Sequence, residues 1–462
     1  MITINTNIHH QLADFTTPVN VLLAVREKYP VTLLLESSDY QSKENSFSFI
    51  GFAPIASVKV KEGLFYTGPG PGQPLDLGSN KLTDKLNHFM QQFNFTTNNQ
   101  EVRQLNGLFG YVNFEAVKYY DSYRFAEEKT ENLIPDLQFH FFAYLIVFDH
   151  YSSRLTIIEN LTEGQESKLH EIISLVNKPT RSIYAFAPGR LTANMQDTDY
   201  KQMVAKARAH CQRGDVFQLV LSRKYYQEFT GDDINVYRAL RAINPSPYLF
   251  YFDYGDFKIM GSSPEAQIVV RGSRVEIHPI AGTMRRSGDN EADNITARKL
   301  ANDPKENAEH NMLVDLARND LSRHCEEVRV SDNKVIQYFS HVIHLVSKVV
   351  ASKPTEVSSF QVFADTFPAG TLSGAPKYKA IELINAYEPQ ERGFYGGAIG
   401  YVNFNGDMNM AITIRSVLSK NQVIHYQAGA GIVVSSTTES ELQEVKNKLR
   451  AIEEAIKMAA TI

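Results

Sequence analysis

Two stretches of this sequence place carboxylates one helical turn apart. Asp303-Pro304-Lys305-Glu306 has the features of a helix start: an N-cap Asp, Pro at the first helical position and an acid three residues on. Glu306 and Glu309 then share one face. Thr438-Glu439-Ser440-Glu441 repeats the arrangement, with Glu441 and Glu444 one turn apart and Lys448 a further turn on. Each helix alone has an ordinary structural explanation. Acids in a first turn complement the helix dipole, and Glu444 with Lys448 is a common surface pair. If the two helices face one another, the four carboxylates could hold a hard divalent cation, because Mg²⁺ takes a few carboxylate oxygens together with waters and substrate oxygens. Spacing leaves both readings open.

Several other chemistries are excluded. No G-x-x-x-x-G-K-[ST] occurs, and the segment Gly370–Lys377 only looks similar, with the wrong spacing. Gly429-Ala430-Gly431 runs into the strand-like IVVSS rather than a helix, against a dinucleotide fingerprint. There is no G-x-S-x-G elbow and no H-E-x-x-H. Cys211 falls in an apolar helical stripe with Tyr200, Met203, Val204 and Ala207, and Cys325 stands in no elbow, so neither is expected to hydrolyse glutamine. Two cysteines in 462 residues exclude a disulfide scaffold and a Cys-rich zinc module. With 47 Lys and Arg against 52 Asp and Glu, a net charge of −5 gives no global attraction to nucleic acid or anionic membrane. The start, MITINTNIHHQLADF, lacks the basic and apolar parts of a leader, and the longest apolar run, FFAYLIVF (141–148), is too short to span a bilayer. A cytoplasmic globular protein is expected.

The elements that must position these residues differ along the chain. Residues 1–175 are rich in strand-like segments: VTLLLES (31–37), FSFIGFAP (47–54), GLFGYVNF (107–114) and LQFHFFAYLIVFDH (137–150). TGPGPGQPLDLGSN (67–80) reads as an exposed loop, and 176–197 as a linker or peripheral crossing. A helix follows, capped by Asp197 or Thr198. Past it, strands at 216–226, 248–254, 266–270 and 274–280 mix with helices at 291–301, 304–319, 376–387 and 438–457. Strands rarely alternate with helices one for one. The expectation is therefore an α+β protein, two mainly antiparallel sheets packed as a sandwich with helices outside and the active site in the cleft between the halves. GYVNF occurs at 110–114 and again at 400–404, a short echo that would mark two equivalent strands.

From Asp199 to Ala455 the sequence resembles the chorismate-utilising enzymes, and within them anthranilate synthase component I. The resemblance rests on DVFQLVLSR (215–223), NPSPY (244–248), GSSPE (261–265), PIAGT (279–283), DPKENAEHNMLVDLARNDL (303–321), HLVS (344–347), FPAGTLSGAPK (367–377), YGGAIGY (395–401), IRS (414–416), QAGAGIV (427–433) and SELQEVKNK (440–448). It implies a catalytic region at 199–460 and an N-terminal region at 1–175 carrying a tryptophan feedback site, the two interleaved in one body. By that resemblance Glu265 is the acid that protonates the departing ring hydroxyl of chorismate, and His344 acts around pyruvate elimination. Glu309 and Glu444 bind Mg²⁺ directly, with Glu306 and Glu441 through water. Gly282, Thr283, Tyr395, Arg415, Gly429, Ala430, Gly431 and Lys448 grip substrate, and Thr371 completes the pocket. Guanidinium and open amides suit carboxylates. His341 has no counterpart and is read as structural.

Which reaction follows depends on the nucleophile. Water-using relatives carry a lysine base where this chain has Gln218; a glutamine cannot take a proton, whereas ammonia attacks without a base. Aminodeoxychorismate synthase places a nucleophilic lysine in PIKGT, and here that position is Ala281. Amination followed by pyruvate loss is therefore expected, with ammonia delivered by a separate glutaminase subunit (component II) in a hetero-oligomer of two large and two small subunits. The feedback site is expected at Glu36, Ser37, Pro247, Tyr248 and Leu249, and no nucleic acid or membrane partner is expected. The rivals are aminodeoxychorismate synthase and a non-catalytic amino-acid-binding regulatory module. Two departures from the family pattern, Met284 after PIAGT and Ser435-Ser436 after AGAGIV, avoid every residue assigned to chemistry.

Overall fold

The computed structural model describes residues 1–37, 46–68, 74–77, 82–97, 99–120, 123, 129, 133–178, 182–338 and 342–462. Two long strands, Phe47–Lys61 and Leu137–Asp149, pair antiparallel along nearly their whole length and organise the rest. Their register shifts between Pro54 and Ala56, next to Ala53 in a left-handed conformation (φ 55°). Such a bulge bends a strand and lets it serve two sheets.

Two arms of sheet leave this pair. In the first, Phe47–Phe52 pairs with Thr32–Glu36, followed by Tyr248–Asp253, Lys258–Ser263, Ser416–Lys420, Val423–Ile432 and Gln218–Gly231. In the second, the start of Leu137–Asp149 pairs with Gly107–Val112, followed by Ala398–Asn403, Met408–Ile412 and Ala266–Arg271. Arg274–Ile277, Val342–Ser352, Ile280–Arg285 and Glu326–Tyr338 extend that arm. These pairings are antiparallel; Ile2–Ile4 with Phe93–Phe95 is parallel. The class is thus α+β with a mainly antiparallel sheet, and the two arms are joined through shared strands. One apolar cluster draws Leu33, Leu35, Phe250 and Ile259 from the first arm and Phe109, Tyr111, Ile399 and Ala411 from the second.

Each arm begins with strands from 1–175 and continues with strands from 199–460, joined where Thr32–Glu36 pairs with Tyr248–Asp253 and Gly107–Val112 with Ala398–Asn403, and the apolar cluster that draws on both regions gives the halves a shared core. The two GYVNF copies meet directly, with Gly110 opposite Gly400. The first copy stops being a strand at Val112 and turns into a short 3₁₀ helix, Phe114–Tyr119.

Helices cover the outer faces. Thr438–Ala459 buries Leu442, Val445, Leu449, Ile452 and Ile456, a helical stripe that leaves Glu441, Glu444 and Lys448 on another face. Pro304–Leu321 starts as its sequence predicts, with the Asp303 carboxylate accepting from the amides of Lys305 and Glu306 at 2.9 and 3.1 Å. Asp197–Arg213 is capped by Gln196, one residue before the expected caps. Two expectations need correction. The linker at 176–197 contains a strand, Phe186–Ala193, that pairs with Gln218–Gly231 and is capped at its inner end by buried Phe186; its exposed Pro and Gly hide it in the sequence. In 67–80, Leu75–Asp76 pairs with Leu64–Gly68 and Leu77 is buried, while 69–73 and 78–80 lie outside the described residues. His341 also lies outside them. Among the described residues no helix is long and apolar enough to cross a membrane.

Candidate active site

The chain passes between the two arms at Ser263–Ala266 and again at Ile412–Ser416. Glu265 and Arg415 sit in these crossings. The crossings are pinned to one another, with Ile412 N donating to the Glu265 carbonyl at 3.0 Å and Ser262 N to the Arg415 carbonyl at 3.1 Å. Arg415 holds a left-handed backbone there (φ 50°), uncommon for a residue with a side chain.

Glu265 is buried, 8 % exposed, and Thr371 Oγ1 donates to its Oε1 at 3.1 Å. Burial pushes its carboxyl up to about 8, although the Thr371 hydroxyl and the Lys448 charge pull the other way. It is therefore an acid that keeps its proton at neutral pH. Arg415 Nη1 donates to the Lys448 carbonyl, and Lys448 Nζ donates to the Gly429 carbonyl at 3.0 Å while standing 3.4 Å from Glu444 Oε1. Burial lowers the Arg415 guanidinium and raises the Tyr395 phenol to about 12, so the phenol stays a hydrogen-bond donor.

Gly429, Ala430 and Gly431 lie opposite Ser222, Leu221 and Val220. Their small size has a cause. A Cβ on Gly431 would stand 2.6 Å from Gln218 Nε2, and one on Gly429 would stand 3.0 Å from the Tyr395 hydroxyl. Gln218, 3 % exposed, donates from Nε2 to Glu309 Oε1 at 2.7 Å, and its Oε1 is buried without a hydrogen-bond partner. That orphan acceptor is costly unless something donates to it.

His344 is paired in register with Thr283, and its Nδ1 lies 3.1 Å from the Gly282 carbonyl. Burial lowers its basicity, helped by the Arg415 charge, so the ring is neutral near pH 7. With the Nδ1 proton donated to Gly282, the lone pair sits on Nε2. Gly282 has φ 74° at a bulge, and a Cβ there would come 2.7 Å from Leu300 and 3.1 Å from Glu306 Oε2. This glycine lets the Glu306 helix approach the His344 strand.

The acids at the starts of the two helices lie close enough to feel charges on the opposite helix. Burial raises the Glu306 carboxyl, and the charges of Glu309 and of Glu444 from the other helix raise it further. Glu441 is likewise raised, first by burial and also by Glu444, with Lys305 opposing. The donor set is oxygen only, which suits a hard dication. Among the described residues no group of three or more His, Cys, Asp or Glu is drawn together closely enough to cage a metal alone. Mg²⁺ retains waters and needs few protein oxygens, so paired acids from two helices fit it without a closed cage.

The other expected contacts are also located. Glu36 stands opposite Leu249 across the Thr32–Glu36 and Tyr248–Asp253 strands, which places Ser37 beside Tyr248 and the Pro247 bend. The Glu36 carboxylate is engaged by Tyr237 at 2.6 Å and by Arg241 through two bonds of 2.9 and 3.0 Å. Its contribution is to fix this strand end to the helix Ile234–Ile243. Cys211 and Cys325 are buried, and burial pushes the Cys325 thiol up to about 11, far from a nucleophile's range. One group went unnoticed in the sequence. Arg392 and Glu388 form a buried ion pair beneath the Thr371 segment, and their spacing of four residues resembles a surface helix pair.

A family model described as chorismate binding enzyme matches residues 35–454. The chain belongs to this family. It is 36 % identical to anthranilate synthase component 1 of Neisseria gonorrhoeae, covering 98 % of this chain and 94 % of that one. It is 33 % identical to anthranilate synthase component 1 of Lactococcus lactis, with 95 % and 97 % covered. The crystal structure of anthranilate synthase component I from Streptococcus pneumoniae superposes with a TM-score of 0.78 at 33 % identity, over 88 % of this chain and 92 % of that one. The menaquinone-specific isochorismate synthase of Escherichia coli shares the fold, with a TM-score of 0.76 at 18 % identity over 98 % and 94 %. An anthranilate synthase component I and an isochorismate synthase thus share the fold of this chain.

Proposed function

We propose that this chain is the large subunit of anthranilate synthase, converting chorismate and ammonia to anthranilate, pyruvate and water. The observation that carries the reading is Gln218. Its side chain, hydrogen-bonded to Glu309, is a buried amide, which cannot deprotonate water, and its unpartnered Oε1 can accept an N–H from ammonia. The ammonia lone pair forms the new C–N bond as the ring C–O bond breaks, and Glu265 gives its proton to the departing hydroxyl. His344 Nε2 then takes the ring proton as the enolpyruvyl C–O bond breaks, and the released enol is protonated to pyruvate. Arg415, Tyr395 and the Gly429–Gly431 amides hold the substrate carboxylates meanwhile. Glu309 and Glu444, with Glu306 and Glu441 behind water, would hold Mg²⁺, which supplies charge to fix a substrate carboxylate.

Ala281, 7 % exposed and without a nucleophile, removes the covalent route of aminodeoxychorismate synthase. Product analysis tests the distinction, because that rival would stop at the aminated ring without releasing pyruvate. The nitrogen source is a second test. The purified chain with Mg²⁺ and chorismate should form anthranilate from ammonium salts but not from glutamine, since both cysteines are buried core residues. Glutamine-dependent fluorescence from this chain alone would overturn the need for a glutaminase partner.

Tryptophan feedback belongs to the same reading. Strand Thr32–Glu36 of the N-terminal region pairs with strand Tyr248–Asp253 of the catalytic region, so a ligand at Ser37 and Tyr248 would bear on how the regions meet. It inhibits only as far as it binds an inactive arrangement more tightly. Ser37→Ala is expected to raise the tryptophan concentration for half-inhibition roughly tenfold, about the worth of one hydrogen bond to a charged ligand, with uninhibited turnover nearly unchanged. A wild type indifferent to millimolar-scale tryptophan, on the order of a weak complex, defeats the regulatory claim.

A further inference from the structure

Arg392 is 1 % exposed, and every polar group it carries is engaged. Nε and Nη2 grip the two Glu388 oxygens at 2.9 and 2.6 Å, Nη2 also donates to the Val220 carbonyl at 2.8 Å, and Nη1 donates to the Leu372 carbonyl at 2.6 Å. Glu388 is braced in turn by Ser222, whose amide and hydroxyl donate to its Oε1 at 2.8 and 2.7 Å. The guanidinium lies 4.6 Å from the Phe114 ring and 5.7 Å from that of Tyr395. Arg392 N and Gly393 N are held by Glu115 at 2.6 and 2.9 Å, so the backbone beneath the fork is fixed as well.

Stability alone is a poor reason for this arrangement, since apolar side chains of similar volume often replace a buried ion pair without loss. What a planar fork adds is direction. The two carbonyls it fixes are informative. Val220 lies two residues beyond Gln218 and opposite Gly431. Leu372 follows Thr371, whose hydroxyl meets Glu265.

We propose that Arg392, braced by Glu388, is a positioning residue for the acid Glu265, acting through the Leu372 carbonyl to hold the Thr371 hydroxyl on the Glu265 carboxyl. The inference rests on the reading of Glu265 as the acid of the reaction. The Thr371 hydroxyl favours the ionised carboxyl, so releasing it moves the acid's titration upward and lets the carboxyl rotate off the departing oxygen. Substrate carboxylates are held by other groups, so the loss falls on kcat.

The test uses the full chain with chorismate, ammonia and Mg²⁺, following anthranilate fluorescence across pH for Arg392→Lys, Glu388→Gln, Thr371→Val and the double variant Arg392→Lys/Thr371→Val. Arg392→Lys is expected to lower kcat roughly 10- to 100-fold, with KM for chorismate within about threefold. Its alkaline limb should move to higher pH, as in Thr371→Val. The double variant should be within about twofold of Thr371→Val alone, because both changes break one chain of contacts. Effects that multiply in full, with the alkaline limb unmoved, overturn the proposal and leave Arg392 a packing role. If Arg392→Lys does not fold, Glu388→Gln, which keeps the shape and loosens the fork, carries the same comparison when combined with Thr371→Val. A wild type that forms no anthranilate overturns the functional reading along with this one; a wild type that does, with additive variants, overturns this one alone.

Discussion

Glu265→Gln is expected to lower turnover of chorismate with ammonia roughly a hundred- to ten-thousand-fold, the range that a positioned general acid supplies. The amide fills the same volume and still accepts from Thr371, so chorismate binding should change little and the loss should appear in kcat. The pH dependence gives a second signature. Burial holds the Glu265 carboxyl near 8, so the wild type has its proton to give up to that pH and loses it above, and kcat should fall about tenfold per unit beyond it. The residual activity of the variant should lack this alkaline limb. Stability provides a check that needs no substrate. A carboxyl whose folded pKa lies above its unfolded value contributes stability fully present below the unfolded pKa and lost as pH rises through about 8. Thermal unfolding of Glu265→Gln should therefore depend less on pH between about 4.5 and about 8 than that of the wild type, and the two should run parallel above that range. Near-normal kcat in Glu265→Gln would remove it from the acid role, whatever its titration.

The helices and most strands were legible because their periods are strong. Asp303-Pro304 is an N-terminus in the sequence and one in the structure, and the apolar stripe from Leu442 to Ile456 faces the core. The strand Phe186–Ala193 was not legible: seven of its eight residues are not buried, so no alternation marks it, and pairing with Gln218–Gly231 alone makes it a strand. Nor was the sharing of two long strands between the arms, which depends on a bulge near Pro54 that no residue type announces. At the site, the motifs named residues that the structure links by contact, Glu265 with Thr371, Gln218 with Glu309, His344 with Gly282, and Arg415 with Lys448 and through it Gly429. They could not show why Gly429 and Gly431 must lack side chains. That reason is the approach of Tyr395 and Gln218 from segments far away in sequence. Arg392 and Glu388 were missed for a related reason. A charged pair four residues apart is indistinguishable in sequence from a solvated one, and only the burial of both gives it meaning.

Glu309→Gln and Glu444→Gln are each expected to lower activity by more than about a hundredfold, since charge stabilisation by a bound dication is worth several kcal/mol. The two acids come from different helices, so neither can replace the other. Both changes keep the side-chain shape and remove one negative charge from a group in which Glu306 is already raised by Glu309 and Glu444. Like charges that repel in the absence of a cation cost stability, and removing one should leave the metal-free variants as stable as the wild type or slightly more so. Metal binding separates this loss from misfolding. A dication that binds only the folded state raises the unfolding temperature with its concentration. Mg²⁺ should therefore stabilise the wild type and stabilise either variant much less, and calorimetric titration with Mg²⁺ alone should weaken in parallel. Glu439→Gln is the control. Glu439 shares the first turn with Glu441 but is exposed and paired with Lys201 at 2.9 Å, so neither activity nor the Mg²⁺ response should change. If Glu309→Gln and Glu444→Gln both respond to Mg²⁺ as the wild type does, the facing acids are helix-cap residues and the metal, where the enzyme needs one, is held elsewhere. If Glu439→Gln behaves like the other two, general surface charge rather than a built site sets the response.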